Sequence, residues 1–469
     1  MDRREFVKTA AAATAAALTP GAAPAAAPPK KTIGIQVTVG PLVEKGIEAT
    51  LDSFELAHVN TLFLCIFTYV PNRVGAAKQV FHGGNYAVVH PQYYQGTSIH
   101  PEETRAPDFG TFDALAALQP AAAKLGMRTF CMILEDNVRP SVTLGQVWER
   151  DLDGRMPPRH PAGPCLNNPN YRNFMLGLLE DYSRSYPIEG VMFGAERQGP
   201  LWNSLGAFHN GATSDPGRVT CFCEYCEAKA KRLGIDFERT RKGFRVLEQY
   251  VRDGRAGKRP TDGYFVGFWR ILLNYPEVLA WETFWTQSMR EMYQAMYRHV
   301  KSVRPNVSVG WHIWHNTSFN PMFRAEQDFA ELAKYSDFIK PVLYNALAGE
   351  RMVSYMDSVG ANVFGDVPKA ELLELQYRIL NYQEGPAAQI ARDGLSADYV
   401  YRETRRTLDE LEGTRTEVWS GLDAGSRTGA RDAVLASFRA GAQGVLLSRG
   451  FNAANLRGAG EAVEQLGLA

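Results

Sequence analysis

The chain has no excess of charge of either sign: 51 basic and 51 acidic residues cancel over 469 positions. No long basic run follows residue 10. Nucleic acid therefore has no electrostatic footprint here and is excluded as a partner class. Beyond the first thirty residues there is no apolar run long enough to cross a bilayer, so no stable membrane anchor is expected. No G-x-G-x-x-G follows the first apolar strand, which removes the phosphate loop that an open dinucleotide-binding sheet requires. Short-period repeats are missing, as is low-complexity sequence after the start of the chain. Cysteine is scarce, at six residues. Apolar residues are not: at 45% they are enough to bury a large core. Aromatics (24 Phe, 20 Tyr, 8 Trp) suit that core and would also stack on sugar faces.

The first residues stand apart from the rest. Arg3-Arg4-Glu5-Phe6-Val7-Lys8 precedes an apolar, alanine-rich run from Thr9 to Leu18, and small residues with prolines lead on to Lys30. A charged start, a short apolar stretch and an Ala-x-Ala-like end make a signal peptide over residues 1–27, with cleavage near Ala25. The paired arginines with Phe and Lys at those offsets point to the twin-arginine translocase as an export partner, and so to a periplasmic or secreted product.

From Lys31 onward, short apolar runs alternate with longer helical patterns. Strands are predicted at Thr32–Val39, Thr61–Tyr69, Arg128–Leu134, Ile188–Gly194, Val307–Trp314, Phe338–Tyr344, Glu417–Leu422 and Gly444–Ser448. Helical spacing lies between them at Val43–Ala57, Phe112–Leu125, Tyr171–Tyr186, Pro276–Val303, Phe329–Tyr335, Lys369–Tyr382, Tyr399–Leu411 and Ala430–Ala440, and Leu456–Leu466 closes the chain. Continuous apolar strands separated by helices imply a parallel sheet covered on both faces. Eight such units in series predict an α/β fold, a closed (β/α)₈ TIM barrel over residues 31–469. Two loops are long: Val70–Gly110, carrying His82, Tyr86, His90, Tyr93 and Tyr94, and about 197–275, read as a helical insertion after strand 4. Substrate sites of barrels are built from such loops.

Strand 5 ends in Trp311-His312-Ile313-Trp314-His315-Asn316. Alternation puts His312 and Trp314 on one face. Imidazole, amide and indole groups suit sugar hydroxyls and a pyranose face, so His312, Trp314, His315 and Asn316 are candidate substrate-binding residues. Lys340 and Tyr344 in strand 6, Arg449 after strand 8, and the carboxylates Glu135 and Asp136 after strand 3 complete a polar ring at the predicted mouth.

Three thiols within six residues, Cys221-Phe222-Cys223-Glu224-Tyr225-Cys226, cannot all pair with one another. Soft thiolates in a tight turn suit Zn²⁺, which takes four ligands in a tetrahedron. A fourth ligand must come from elsewhere, and in an oxidising compartment two of the thiols can instead form a disulfide. Cys65 and Cys131 fall inside apolar strands and read as small buried hydrophobes. Cys165 lies in Pro164-Cys165-Leu166-Asn167-Asn168-Pro169-Asn170-Tyr171-Arg172.

These segments resemble family-42 glycoside hydrolases, barrel β-galactosidases of clan A, which carry a Cys-x-Cys-x-x-Cys run after strand 4 and an upstream cysteine in a Cys-Pro-x-Ser-Pro-x-Tyr-Arg-like segment. Cys221, Cys223 and Cys226 match the run, and Cys165 with Pro169, Tyr171 and Arg172 matches the upstream segment. The motif likeness covers about residues 160–230, and the remainder resembles the family by strand order. The end Gly444-Val-Leu-Leu-Ser448-Arg449 is similar to that of uncharacterised glycoside-hydrolase-like barrels of bacterial genomes. The resemblance implies a structural zinc on Cys165, Cys221, Cys223 and Cys226, and a carbohydrate substrate. It also allows a homo-oligomer. It implies an acid/base carboxylate just past strand 4, where Glu196 stands, and a partner past strand 7, where Asp423 stands. Two positions depart from the family pattern: Ala195 replaces its Asn, and Asp423 replaces its Glu.

Three readings follow. A glycosidase would use Glu196 and Asp423 as its two carboxyl groups. A carbohydrate-binding barrel without turnover fits the two departures. A catalytic metal site could use His312, His315 and nearby carboxylates.

Overall fold

In the computed structural model, the described residues are 31–68, 73–74, 79–80, 84–106, 111–135, 142–157, 163–423, 425–448 and 452–469. The expected signal peptide, His82, Asp136 and Arg449 lie outside them.

Eight parallel strands close on themselves: β1 (Thr32–Val37), β2 (Thr61–Thr68), β3 (Arg128–Leu134), β4 (Gly190–Gly194), β5 (Ser308–Ile313), β6 (Phe338–Pro341), β7 (Glu417–Asp423) and β8 (Gly444–Ser448). Each pairs with its sequence neighbours, and β1 pairs with both β2 and β8, so the sheet has no open edge among these eight. The chain is a (β/α)₈ barrel with a helical insertion after β4. A short segment, Gly84–Asn85, adds one antiparallel pairing to the end of β2.

The longer helices are α1 (Ala114–Lys124), α2 (Pro169–Ser185), α3 (Glu224–Arg232), α4 (Phe237–Arg255), α5 (Tyr264–Asn274), α6 (Glu277–Val303), α7 (Asn345–Gly360), α8 (Lys369–Leu380), α9 (Ala397–Glu410), α10 (Arg427–Ala440) and α11 (Ala453–Gln465). Their starts carry side-chain caps where the sequence supplies them. Asn168 accepts from Asn170 N ahead of α2, Asp236 from Arg239 N ahead of α4, and Ser396 from Asp398 N ahead of α9. The insertion contains α3, α4, α5 and a short helix, Pro200–Leu205. Among the longer helices of the described residues, one falls where the sequence shows no apolar helical spacing. It is α7, and it starts at Asn345 because β6 ends at Pro341, earlier than the predicted Tyr344.

The strands are buried on both faces, as a sheet covered by helices requires. Their inward side chains fill the barrel with a separate apolar cluster that includes Phe63, Cys65, Phe130, Met132, Met192, Phe338 and Trp419. Phe338 stacks on Trp419 at 3.8 Å between ring centroids, and Phe63 meets Phe130 at 4.9 Å. Glycines make the room: a Cβ at Gly190 would enter the Phe130 ring, and one at Gly310 the Phe338 ring. This plug closes the interior, and the candidate polar residues lie beyond it at the C-terminal mouth. Among the described residues no helix is long and apolar enough to cross a membrane.

Candidate active site and cysteine centre

The polar centre of the mouth spans β4, β5 and β6. Glu196 follows β4, and its Oε1 accepts a hydrogen bond from His312 Nε2 on β5 at 3.1 Å. Lys340 on β6 donates from Nζ to His312 Nδ1 at 3.2 Å and to the Tyr344 hydroxyl at 3.0 Å. Tyr344 in turn donates to Gln36 Oε1, from β1, at 3.4 Å. Lysine only donates. Nδ1 must therefore accept, which leaves the ring proton on Nε2, facing Glu196. Lys340 extends across the barrel only because residue 421 on β7 has no side chain: a Cβ there would overlap the lysine's Cε.

The ionisation states follow from burial and neighbours. Burial raises the Glu196 carboxyl, but the His312 hydrogen bond and the positive field of His312, Arg351 and His209 outweigh it and hold the group below the usual carboxylate range. Burial, helped by the Lys340 charge, lowers His312 to about 4. It is therefore a neutral donor at neutral pH, and the hydrogen bond is the part of its influence on Glu196 that persists there. Burial lowers Lys340 to about 7 against the pull of Glu196 and Cys65. The Glu196 side chain retains 24% exposure, whereas His312 retains 2%.

Asp423 ends β7, and its two oxygens accept the backbone N–H groups of Ala346 and Leu347 at 3.0 and 3.1 Å. These are amides of the first turn of α7, and Leu347 N also donates to the Tyr344 carbonyl at 3.1 Å. Burial raises the Asp423 carboxyl, while the two amides and the Arg351 charge pull the other way. Arg351 bears on both carboxylates and donates to His315 Nδ1 at 2.8 Å. His315 Nε2 meets the Tyr399 hydroxyl at 3.0 Å, and burial keeps the ring well below its usual pKa.

Several expected substrate contacts are instead engaged by the protein. Glu135 is buried, ion-paired with Arg197 Nη2 at 2.7 Å and hydrogen-bonded by the Tyr171 hydroxyl. Asn316 donates to Gln198 Oε1 at 2.7 Å and to the Ala207 carbonyl at 3.1 Å, tying the loop after β5 to the insertion. Trp314 lies beyond β5 and packs against Phe208, His209 and Phe323, so it does not share the inward face of His312. Both nitrogens of His312 and of His315 are taken by protein groups, which removes the geometry for a catalytic metal on those rings. In the loop after β2, His90 and Tyr94 bond to the buried Asp181 of α2 and hold the loop down. Two groups at the mouth were not anticipated. Arg351 sits on α7, which lacked a visible helical pattern. His209 sits in the insertion, 5.5 Å from the Trp314 ring, with no local motif around it.

The four cysteines Cys165, Cys221, Cys223 and Cys226 converge, with all four sulfurs within 4.8 Å of one another. Cys165 Sγ lies 3.5 Å from Cys223 Sγ and 3.6 Å from Cys226 Sγ, and all four thiols are free. Metal–sulfur bonds of about 2.3 Å in a tetrahedron place sulfurs about 3.8 Å apart, so this donor set fits a metal ion. Asn167 Nδ2 donates to Cys226 Sγ at 3.3 Å, and Cys223 occupies the N-cap of α3, where the helix dipole favours a thiolate.

The two centres share a buried ionic bridge. Arg197, next to Glu196, pairs with Glu149 at 3.2 Å and donates to the carbonyl of Pro164, beside Cys165, at 3.1 Å. Glu149 in turn accepts from Thr220, beside Cys221, at 2.9 Å.

A scan against protein-family models finds no match, and neither does a search of curated proteins. Among solved structures the chain is similar to a β-galactosidase from the Antarctic haloarchaeon Halorubrum lacusprofundi, with 13% identity, TM-score 0.50, and coverage of 93% of this chain and 58% of that one. It is also similar to α-L-fucosidase isoenzyme 2 from Paenibacillus thiaminolyticus (12% identity, TM-score 0.49, 93% and 49% covered). A third is the glycoside hydrolase domain of PgaB (BpsB) from Bordetella bronchiseptica (10% identity, TM-score 0.48, 93% and 98% covered). The chain spans about half the length of the first two. At these identities the likeness is one of fold alone, a TIM barrel.

Proposed function

We propose that the protein is a glycoside-hydrolase-like enzyme that cleaves glycosidic bonds of an oligo- or polysaccharide, with Glu196 as acid/base and Asp423 as the partner carboxylate. The observation that carries this reading is the setting of Glu196. It is a partly open carboxylate at the C-terminal mouth of a barrel, aimed by a neutral histidine and flanked by Arg351 and His209. Glycoside hydrolysis needs a positioned carboxyl of this kind.

Replacing Glu196 by Gln keeps its size and removes its proton chemistry. Turnover on a broad glycan panel should fall by about 10² or more. One observation favours the second reading, a carbohydrate-binding barrel: both Asp423 oxygens are engaged by α7 amides. A wild-type chain that binds a glycan but hydrolyses nothing on the panel selects that reading.

The cysteine tetrad is read as a structural zinc site, since four thiolates leave no coordination place for a water. Arg3-Arg4 and the apolar run behind them support export by the twin-arginine route to the periplasm or beyond. Such export carries folded chains, so the tetrad would take up its metal before crossing.

A further inference from the structure

We propose that Lys340 is an internal proton store for Glu196, connected to it through the His312 ring. This rests on the acid/base reading of Glu196 given above.

The contacts form one unbroken line across the barrel: Gln36, Tyr344, Lys340, His312 and Glu196, linked at 3.4, 3.0, 3.2 and 3.1 Å. Every link has a fixed sense, because the ammonium can only donate and so sets the imidazole tautomer. The line is therefore aligned for a double proton shift. The Lys340 Nζ–H bond breaks as a His312 Nδ1–H bond forms, and the His312 Nε2–H bond breaks as a Glu196 Oε1–H bond forms. The imidazole is neutral before and after, with its tautomer inverted. An ammonium and a carboxylate become an amine and a carboxylic acid, so one positive and one negative charge give two neutral groups. The reverse shift restores the resting state.

Lysine suits this task where arginine would not, because a buried ammonium releases its proton readily. Lys340 is wholly buried, and its proton becomes labile near neutrality. The groups that face it are His312 from β5, Glu196 from β4, Cys65 from β2, Gln36 from β1 and Tyr344 beyond β6. Gly421 of β7 adds no charge. The Cys65 thiol, pushed by burial up to about 12, stays neutral. At the far end the His312 hydrogen bond and the Arg351 charge keep Glu196 ionised while the mouth is open to water. A saccharide covering the mouth excludes that water and disfavours the separated charges. The shift to the neutral pair then arms Glu196 at the moment the leaving oxygen needs a proton.

The test is ¹⁵N NMR of the histidine-labelled full chain between pH 5 and 9, with the His312 signals identified by their loss in His312→Gln. In the wild type His312 should remain neutral, carry its proton on Nε2 at the acid end, and show a step in both ring shifts near pH 7. The step should vanish in Lys340→Met and move to lower pH in Glu196→Gln. A proton on Nδ1 at pH 5, or a step that survives Lys340→Met, overturns the proposal. If Lys340→Met does not fold, the wild-type tautomer and the Glu196→Gln displacement decide, and an unmoved step overturns it. On any saccharide that is hydrolysed, Lys340→Met should lower kcat by about tenfold to a hundredfold with little change in KM. It should also abolish the limb of the pH–kcat profile near 7. A chain that shows the step but hydrolyses nothing upholds the proton store and fails the glycosidase reading. A chain that hydrolyses without the step does the opposite.

Discussion

Arg197 Nη2 lies 2.7 Å from Glu135 Oε2, with both side chains closed off from solvent. The same guanidinium reaches Glu149 at 3.2 Å, so one cation serves two buried carboxylates. Taking it away leaves uncompensated buried charge, the costly case for an internal ion pair. Arg197→Met should therefore destabilise the fold by about 3–5 kcal/mol. Arg197→Lys should recover only part of that, because an ammonium cannot span both partners as a planar fork does. Urea unfolding of the three proteins checks this, and equal midpoints for the wild type and Arg197→Met would dismiss the bridge.

The bridge also joins the cysteine tetrad to Glu196. Elemental analysis should find one zinc per chain. Chelation, or Cys226→Ser, should lower the unfolding temperature and, through Pro164 and Thr220, reduce turnover even though no tetrad residue touches the mouth. A metal-free chain with undiminished stability would remove the structural role.

A second buried carboxyl pair, Glu282 and Glu326, lies at the start of the insertion. Glu282 of α6 accepts the Leu201 N–H at 2.7 Å, and Glu326, in the loop after β5, accepts Trp202 Nε1 at 2.6 Å, so the two clasp the start of the insertion. Burial raises both groups, Glu282 well above its usual value and Glu326 to about 7, while hydrogen bonds from Trp202, Thr286 and Glu282 and then the Arg290 charge offset part of the effect on Glu326. A raised folded-state value means that the native chain holds the proton more tightly. The stabilisation is complete below the unfolded value of 4.5 and is lost as pH rises through about 7. Wild-type stability should thus decline across that window by about 3 kcal/mol relative to Glu326→Gln. Thermal unfolding at pH 5 and pH 8 measures the difference, and parallel pH dependence in the two proteins would refute the clasp.

Asp423 permits capping and catalysis to be separated. Asp423→Asn keeps an acceptor for one of the two α7 amides and sets an NH2 group against the other, so it should lose less stability than Asp423→Ala but most turnover if the carboxylate takes part in hydrolysis. Asp423→Ala should lose about 1 kcal/mol more, as removal of a helix cap does. Turnover by Asp423→Asn close to wild type would confine Asp423 to the capping role.

The barrel was legible because each strand is a continuous apolar run and most helices show a clear stripe. Helix α7 was not. Its buried positions do follow helical spacing, through Asn345, Ala348, Gly349, Met352, Tyr355, Met356 and Val359. Asn345 and Gly349 break the apolar signal, and Gly349 is small because a Cβ would enter the Ile390 carbonyl. With α7 unseen, Arg351 had no place at the mouth. Glu135 shows the opposite error. Its position at a strand end is visible in the sequence, but the partner that claims it, Arg197, comes only after the next strand. The cysteine tetrad was readable because three of its members sit within six residues.

Gly421 gives the barrel a dependency between two distant positions. The glycine is required neither by a turn nor by a positive φ, but by the length of the Lys340 side chain that lies across it. A chain with a shorter residue at 340 could carry alanine at 421 without strain, whereas alanine at 421 alone would evict the amine from the mouth. In any lineage of this fold the two sites should therefore change as a pair, and a bulky residue at 421 would be a sign, readable from sequence, that the lysine chemistry has been abandoned.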